Sequence, residues 1–203
     1  MFTEESFNIF DVPDLAGRME VIRSDIQPIF AQILEQVKQD LDNNFTDEFF
    51  IHIAQHIRRT KNAPESTWAA ISTNKRGYKS EPHFQLGIWQ DYIFIYLSMI
   101  DGPKNKSELA DYLLENKKKL ADLSSDYVYS IDHTKQETYP LSDSLDKNLL
   151  RFRDVKKAEF EFGRVIKADS NLLSNPKEAM EYIKETYKDM FVLYKDLLKI
   201  NKS

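Results

Sequence analysis

The apolar residues of this chain change period part-way along. Leu15, Met19, Ile22, Ile26, Ile29, Ile33, Val37 and Leu41 recur every three or four positions, which draws a single stripe down a helix. From residue 48 the pattern shortens. The runs 48–57, 67–74, 83–89 and 92–100 are rich in aromatic and β-branched residues, with KNAPES, NKRGYKSEP and QD as turn material between them. Four extended runs this close together leave no space for the crossover helices of a parallel sheet. They predict an antiparallel meander, with the helices grouped beside it.

The rest of the chain fits that plan. Asp14 is placed to cap the first helix, and Pro28 inside the stripe should kink or divide it, because proline lacks the backbone donor and crowds the preceding turn. After DGP at 101–103, SELADYLLENKKKL returns to helical spacing through Leu109, Leu113 and Leu120. DYVYSID at 126–132 and AEFEFGRVI at 158–166 read as two further strands, separated by a helix over about 142–152. The closing segment from Asn175 begins like a capping box, with Pro176 at the first helical position and Glu178 three residues after the cap. The expectation is one α+β domain over 1–203, a largely antiparallel sheet of about six strands covered by three or four helices.

Hydrophobic residues make up 41% and charged residues 30%, enough apolar material for a core without covalent staples. Cysteine is absent, which excludes disulfides and thiolate metal sites and suits a reducing compartment. The acidic start MFTEESFNIF lacks the features of a signal peptide, and the apolar run YIFIYLSMI at 92–100 is far shorter than the roughly 20 residues a spanning helix needs. A soluble cytoplasmic protein with no membrane partner is expected. A net charge of −5 argues against broad adhesion to nucleic acid. The basic residues are concentrated, however: between His52 and His83 there are six Lys or Arg against two Glu.

That segment contains HIAQHIRRTKN, residues 52–62, with two histidines four apart and two arginines directly after. On a strand, His52, His56 and Arg58 share one side and the isoleucines the other; Trp68, His83 and Gln85 occupy the corresponding face of the next strands. If the strands align those faces, His52, His56, Arg58, Trp68, His83 and Gln85 form one surface with the NKRGYK loop, which carries Lys75, Arg76 and Gly77, at its rim; Arg58, Arg59, Lys75 and Arg76 could then neutralise a phosphate or carboxylate. A metal site is opposed by the neighbouring cations, and HExxH is not matched. An anion site fits better, since guanidinium groups pair with phosphate or carboxylate while histidine adds a tunable donor. Arg58 and Arg76 would clamp charge, His52, His56 and His83 would orient the ligand or exchange protons, and Trp68 would wall the site. A solvated basic face explains the same residues as simply.

Trp68, Tyr78 and Phe84 could stack on a flat ligand, though aromatic residues in alternating strands are more often core. His133 and Arg164 are isolated in sequence and could join a pocket only through folding. Phosphate-loop, dinucleotide-binding, nucleophile-elbow and kinase motifs are missing, so no reaction or cofactor is indicated. The leading expectation is a small anionic ligand, and the alternative is a protein or RNA interaction module using the same surface without catalysis.

GRMEVIRSDIQP, the block HIAQHIRRTKNAPESTWAAISTNKRGYKSEPHFQLGIW and VKKAEFEFGRVI together resemble the YktB-like family of proteins from Gram-positive bacteria, also known as domain-of-unknown-function family 1054. The resemblance runs over nearly the whole chain. It implies a compact cytoplasmic α+β domain, and it implies no activity, substrate or catalytic residue.

Overall fold

A computed structural model describes all 203 residues. Seven strands form one antiparallel sheet in the order β1-β2-β3-β4-β7-β5-β6. The first four, β1 (Phe50–Ile53), β2 (Thr67–Ser72), β3 (His83–Ile88) and β4 (Tyr92–Met99), are the expected meander. β7 (Phe160–Lys167) then inserts between β4 and the short β5 (Val128–Ser130), which in turn pairs with the two-residue β6 (Tyr139–Pro140). β6 is the strand beyond the expected six, and it is too short to leave an alternating signature.

The α1 helix (Leu15–Val21) starts where Asp14 Oδ1 accepts from the Gly17 amide at 2.8 Å. Pro28 does divide the stripe. Its ring would meet the carbonyl of Ser24, and one widened π turn over Ile22–Ile26 relieves that contact before α2 (Gln27–Asn44) continues. Most of the stripe stays in phase: Met19, Ile22, Ile26, Ile33, Val37 and Leu41 are buried, while the extra residue of the π turn puts Phe30 in the core place expected of Ile29, which is partly buried like Leu15. The remaining helices are α3 (Lys106–Glu115), α4 (Lys117–Ala121), α5 (Leu145–Asp154), α6 (Pro176–Asp189) and α7 (Phe191–Lys202). Seven helices replace the expected three or four, because the π turn at Ile22–Ile26 and breaks at Asn116 and Met190 divide what periodicity reads as continuous helices.

The helices bury one sheet face. Ala69, Ile71, Phe84, Leu86, Ile88, Ile95, Leu97, Phe160 and Phe162 meet them in a cluster of 41 buried residues. The other face carries the alternate residues, and only a small cluster of Trp89, Phe94 and Tyr96 packs there. Loops, not helices, cover it. That face positions the site. No helix is long and apolar enough to cross a membrane.

Candidate functional site

β1 is shorter than its sequence suggests. It ends at Ile53, one residue before the Ala54 amide bonds to the Trp68 carbonyl, and the chain then leaves the sheet. His56 has φ +50, a left-handed conformation that a strand cannot contain. A turn closes from the Arg59 amide to the His56 carbonyl, so His56, Arg58 and Arg59 stand on a loop and do not continue the face that His52 occupies. The expected alternation through Arg58 is therefore incorrect.

This loop forms one wall of a cleft of about 570 Å³ over the open sheet face. His56, Arg58, Arg59, Trp68, Tyr78, Lys79, Trp89 and His133 line it, with Glu65 and Asp101 as its carboxylates. Lys79 and Asp101 pair with each other. Arg58 makes no hydrogen bond or ion pair within the chain, and Arg59 reaches only the carbonyls of Asn62 and Ala63, at 3.4 and 3.3 Å. Trp68 Nε1 donates to Tyr78 Oη at 2.8 Å, which fixes the indole as a wall. His56 lies edge-on to that indole, 5.5 Å between centroids, and its Nε2 meets Thr67 Oγ1 at 3.1 Å. Burial, then the charge of Arg59, pushes His56 down to about 4, so it is a neutral hydrogen-bonding group at neutral pH.

The other expected site residues are elsewhere. His83 is fully buried beneath the cleft, where its Nδ1 donates to the Glu81 carbonyl at 2.8 Å and its Nε2 accepts from Gln85 at 2.9 Å. Burial pushes it down to about 3, so it stays neutral and cannot exchange protons with a ligand. His52 Nε2 donates to the Asn74 carbonyl at 3.0 Å and holds the 73–81 turn. In that turn Lys75 lies over the Phe50 ring and Arg76 is exposed; neither lines the cleft. Arg76 is therefore not placed to clamp a ligand with Arg58. Gly77 has ordinary negative φ and open space where a Cβ would stand, so neither a turn conformation nor a close approach requires glycine there. Phe84 points into the helical core, away from Trp68 and Tyr78. Arg164 is buried beside α6, with Nε donating to Thr186 Oγ1 at 2.8 Å and its guanidinium over Tyr182.

His133, isolated in sequence, is brought to the cleft by the loop after β5. Its Nδ1 lies 2.7 Å from Glu159 Oε2, and its own amide donates to the same oxygen at 3.0 Å. A carboxylate can only accept, so Nδ1 carries hydrogen and Nε2 is left for the cleft. Burial pulls this histidine down, but the hydrogen bond and charge of Glu159 outweigh it and the net effect is upward. Burial pushes Glu159 up, and the bonds from His133 and the Asp101 amide more than reverse it. Asp132, His133 and Glu159 place ligand-type atoms within 4.8 Å of one another. Those atoms are engaged in bonds of the loop itself, with Asp132 Oδ1 accepting from the Thr134 amide and hydroxyl, so the group is a hydrogen-bonded clasp. Sequence spacing could not find His133 and Glu159, which are 26 residues apart.

The chain matches the family model described as "Domain of unknown function (DUF1054)" over residues 2–194. It is 50% identical over 195 residues to a UPF0637 protein of Enterococcus faecalis, covering 96% of each chain. It is 49% identical to the UPF0637 protein YsbB of Lactococcus lactis, covering 94% of this chain and 98% of that one. A UPF0637 protein of Exiguobacterium sibiricum is 43% identical, with 97% and 98% covered. A family model spanning nearly the whole chain and relatives matched end to end agree, and the chain belongs to the DUF1054 family.

Proposed function

We propose that the cleft binds a small anionic ligand bearing a phosphate or carboxylate group. The observation that carries this reading is the pair Arg58 and Arg59, which stand at a cleft wall without a carboxylate partner, facing Trp68 and two histidines. Guanidinium groups with unspent donors beside a partly apolar wall suit a small molecule with a charged end. Clefts of this size commonly take such ligands.

The chain has two tryptophans, and both line the cleft, so ligand entry should change intrinsic fluorescence. Fluorescence and calorimetric titration with a panel of nucleotides and phosphometabolites test the proposal. Arg58→Ala or Arg59→Ala should each weaken binding roughly tenfold or more, the size of a lost charge-assisted hydrogen bond. The double variant Lys75→Ala with Arg76→Ala should bind like wild type. The reading is wrong if the Arg58 and Arg59 variants retain full affinity.

A second reading, a surface for a protein or RNA partner, draws on Ile57, which is 86% exposed between His56 and Arg58. Binding to single-stranded RNA that weakens steeply with salt, and no response to small anions, would favour it.

A further inference from the structure

Behind His133 the open sheet face hides a second polar layer. A cavity of about 10 Å³, the space of one water molecule, is lined by His133, Glu161, Tyr96, Gln85, Ser130 and Lys135 among others. It shares Trp68, Trp89 and His133 with the cleft. Glu161 is 2% exposed. Its Oε2 accepts from Ser98 Oγ at 2.6 Å, and no arginine or lysine pairs with it. Tyr96 Oη is buried with no hydrogen-bond partner. A carboxyl, a phenol and an imidazole thus face one small space directly under the ligand cleft.

We propose that His133 is the proton-exchanging group of the cleft, that Glu159 sets which nitrogen it presents, and that buried Glu161 is a positioning carboxylate that favours the protonated ring. The inference rests on the reading of the cleft as an anion site and extends it. An imidazolium Nε2–H would donate to the bound anion, while Nδ1–H stays on Glu159. Above the histidine's own midpoint, the anion would bind with uptake of a solvent proton at Nε2.

The groups that bear on Glu161 are His133, Asp132 and Lys135 of the loop after β5, Glu159 of the segment entering β7, Tyr92, Tyr96 and Ser98 of β4, and Tyr78 of the turn before β3; on His133 itself Glu159 and Glu161 act upward, and Lys79, paired with Asp101 across the cleft, acts downward. Burial pushes Glu161 up to about 7, so this carboxyl changes charge near neutral pH. As it ionises, its charge adds to that of Glu159 and raises the proton affinity of His133.

The test uses the full chain without ligand first. Histidine ring ¹H–¹⁵N spectra over a pH series resolve four histidines, with His133→Asn for assignment. His133 should show the Nδ1–H tautomer when neutral. Its midpoint should move to lower pH in Glu161→Gln, and its tautomer preference should be lost in Glu159→Gln. Ser98→Ala supplies a second variant if Glu161→Gln does not fold; removing that donor makes Glu161 harder to ionise and should move His133 the same way. An unmoved His133 midpoint in the folded Glu161 or Ser98 variant, or an Nε2–H tautomer in wild type, overturns the assignment.

Calorimetry with inorganic phosphate, in two buffers of different ionisation enthalpy, then measures protons taken up. Uptake in wild type that is lost in His133→Asn supports the inference, and binding without uptake overturns it. If phosphate gives no heat, the anion reading fails for that ligand, and the ring spectra alone decide the role of His133.

Discussion

Two buried titratable groups on the open sheet face should respond to acid in opposite directions. His83 has an ordinary value of 6.5 and is pushed down to about 3 in the fold by burial. The folded state resists its protonation, so stability is lost as the pH falls below about 6.5. Glu161 has an ordinary value of 4.5 and is pushed up to about 7, again by burial. Its folded state resists ionisation, so stability is lost as the pH rises from about 4.5 to about 7 and regained on acidification. Between about pH 7 and about pH 5, linkage gives a loss of about 2 kcal/mol from His83 and a gain of about 2 kcal/mol from Glu161. The two nearly cancel in wild type. His56 shares the sign of His83, and solvent screening at its more exposed ring reduces its part.

Substitution should separate them. Urea unfolding of wild type, His83→Gln and Glu161→Gln across this range gives stability differences from which other groups largely cancel. Relative to wild type, His83→Gln should gain about 2 kcal/mol on going from about pH 7 to about pH 5, and Glu161→Gln should lose about 2 kcal/mol. Constant m values would show that the folded and unfolded ensembles are comparable. Parallel stability curves for all three proteins would refute the reasoning, because desolvation would then not govern either group.

Two further outcomes test the packing. Gly87 faces Phe94 across β3 and β4, and a Cβ there would stand 2.0 Å from the ring; Gly87→Ala should cost about 1–3 kcal/mol in chemical unfolding, with partial recovery in combination with Phe94→Leu. Asp14→Ala removes the acceptor for the Gly17 amide, and should cost about 1 kcal/mol by the same measurement, with no change in ligand-induced fluorescence.

Several elements were legible because they depend on local physics. The stripe from Leu15 to Leu41 survives its π turn in all but one place: the widened turn relieves Pro28 and brings Phe30 into the core where Ile29 was expected, while Met19, Ile22, Ile26, Ile33, Val37 and Leu41 are buried. The alternation of Phe84, Leu86 and Ile88 against His83, Gln85 and Trp89 matches the two faces of the sheet at β3. Helix breaks were not legible at Asn116 or Met190, where no proline or glycine interrupts the spacing.

The composition of the polar segment therefore identified the open sheet face, and local alternation put Trp68 and His83 on it. Tertiary structure decided what each group could do there. Whether a histidine holds a turn, lies neutral in the core or meets a carboxylate depends on desolvation and on partners distant in sequence. His52, His83 and His133 are the same residue type made into three different groups by those surroundings.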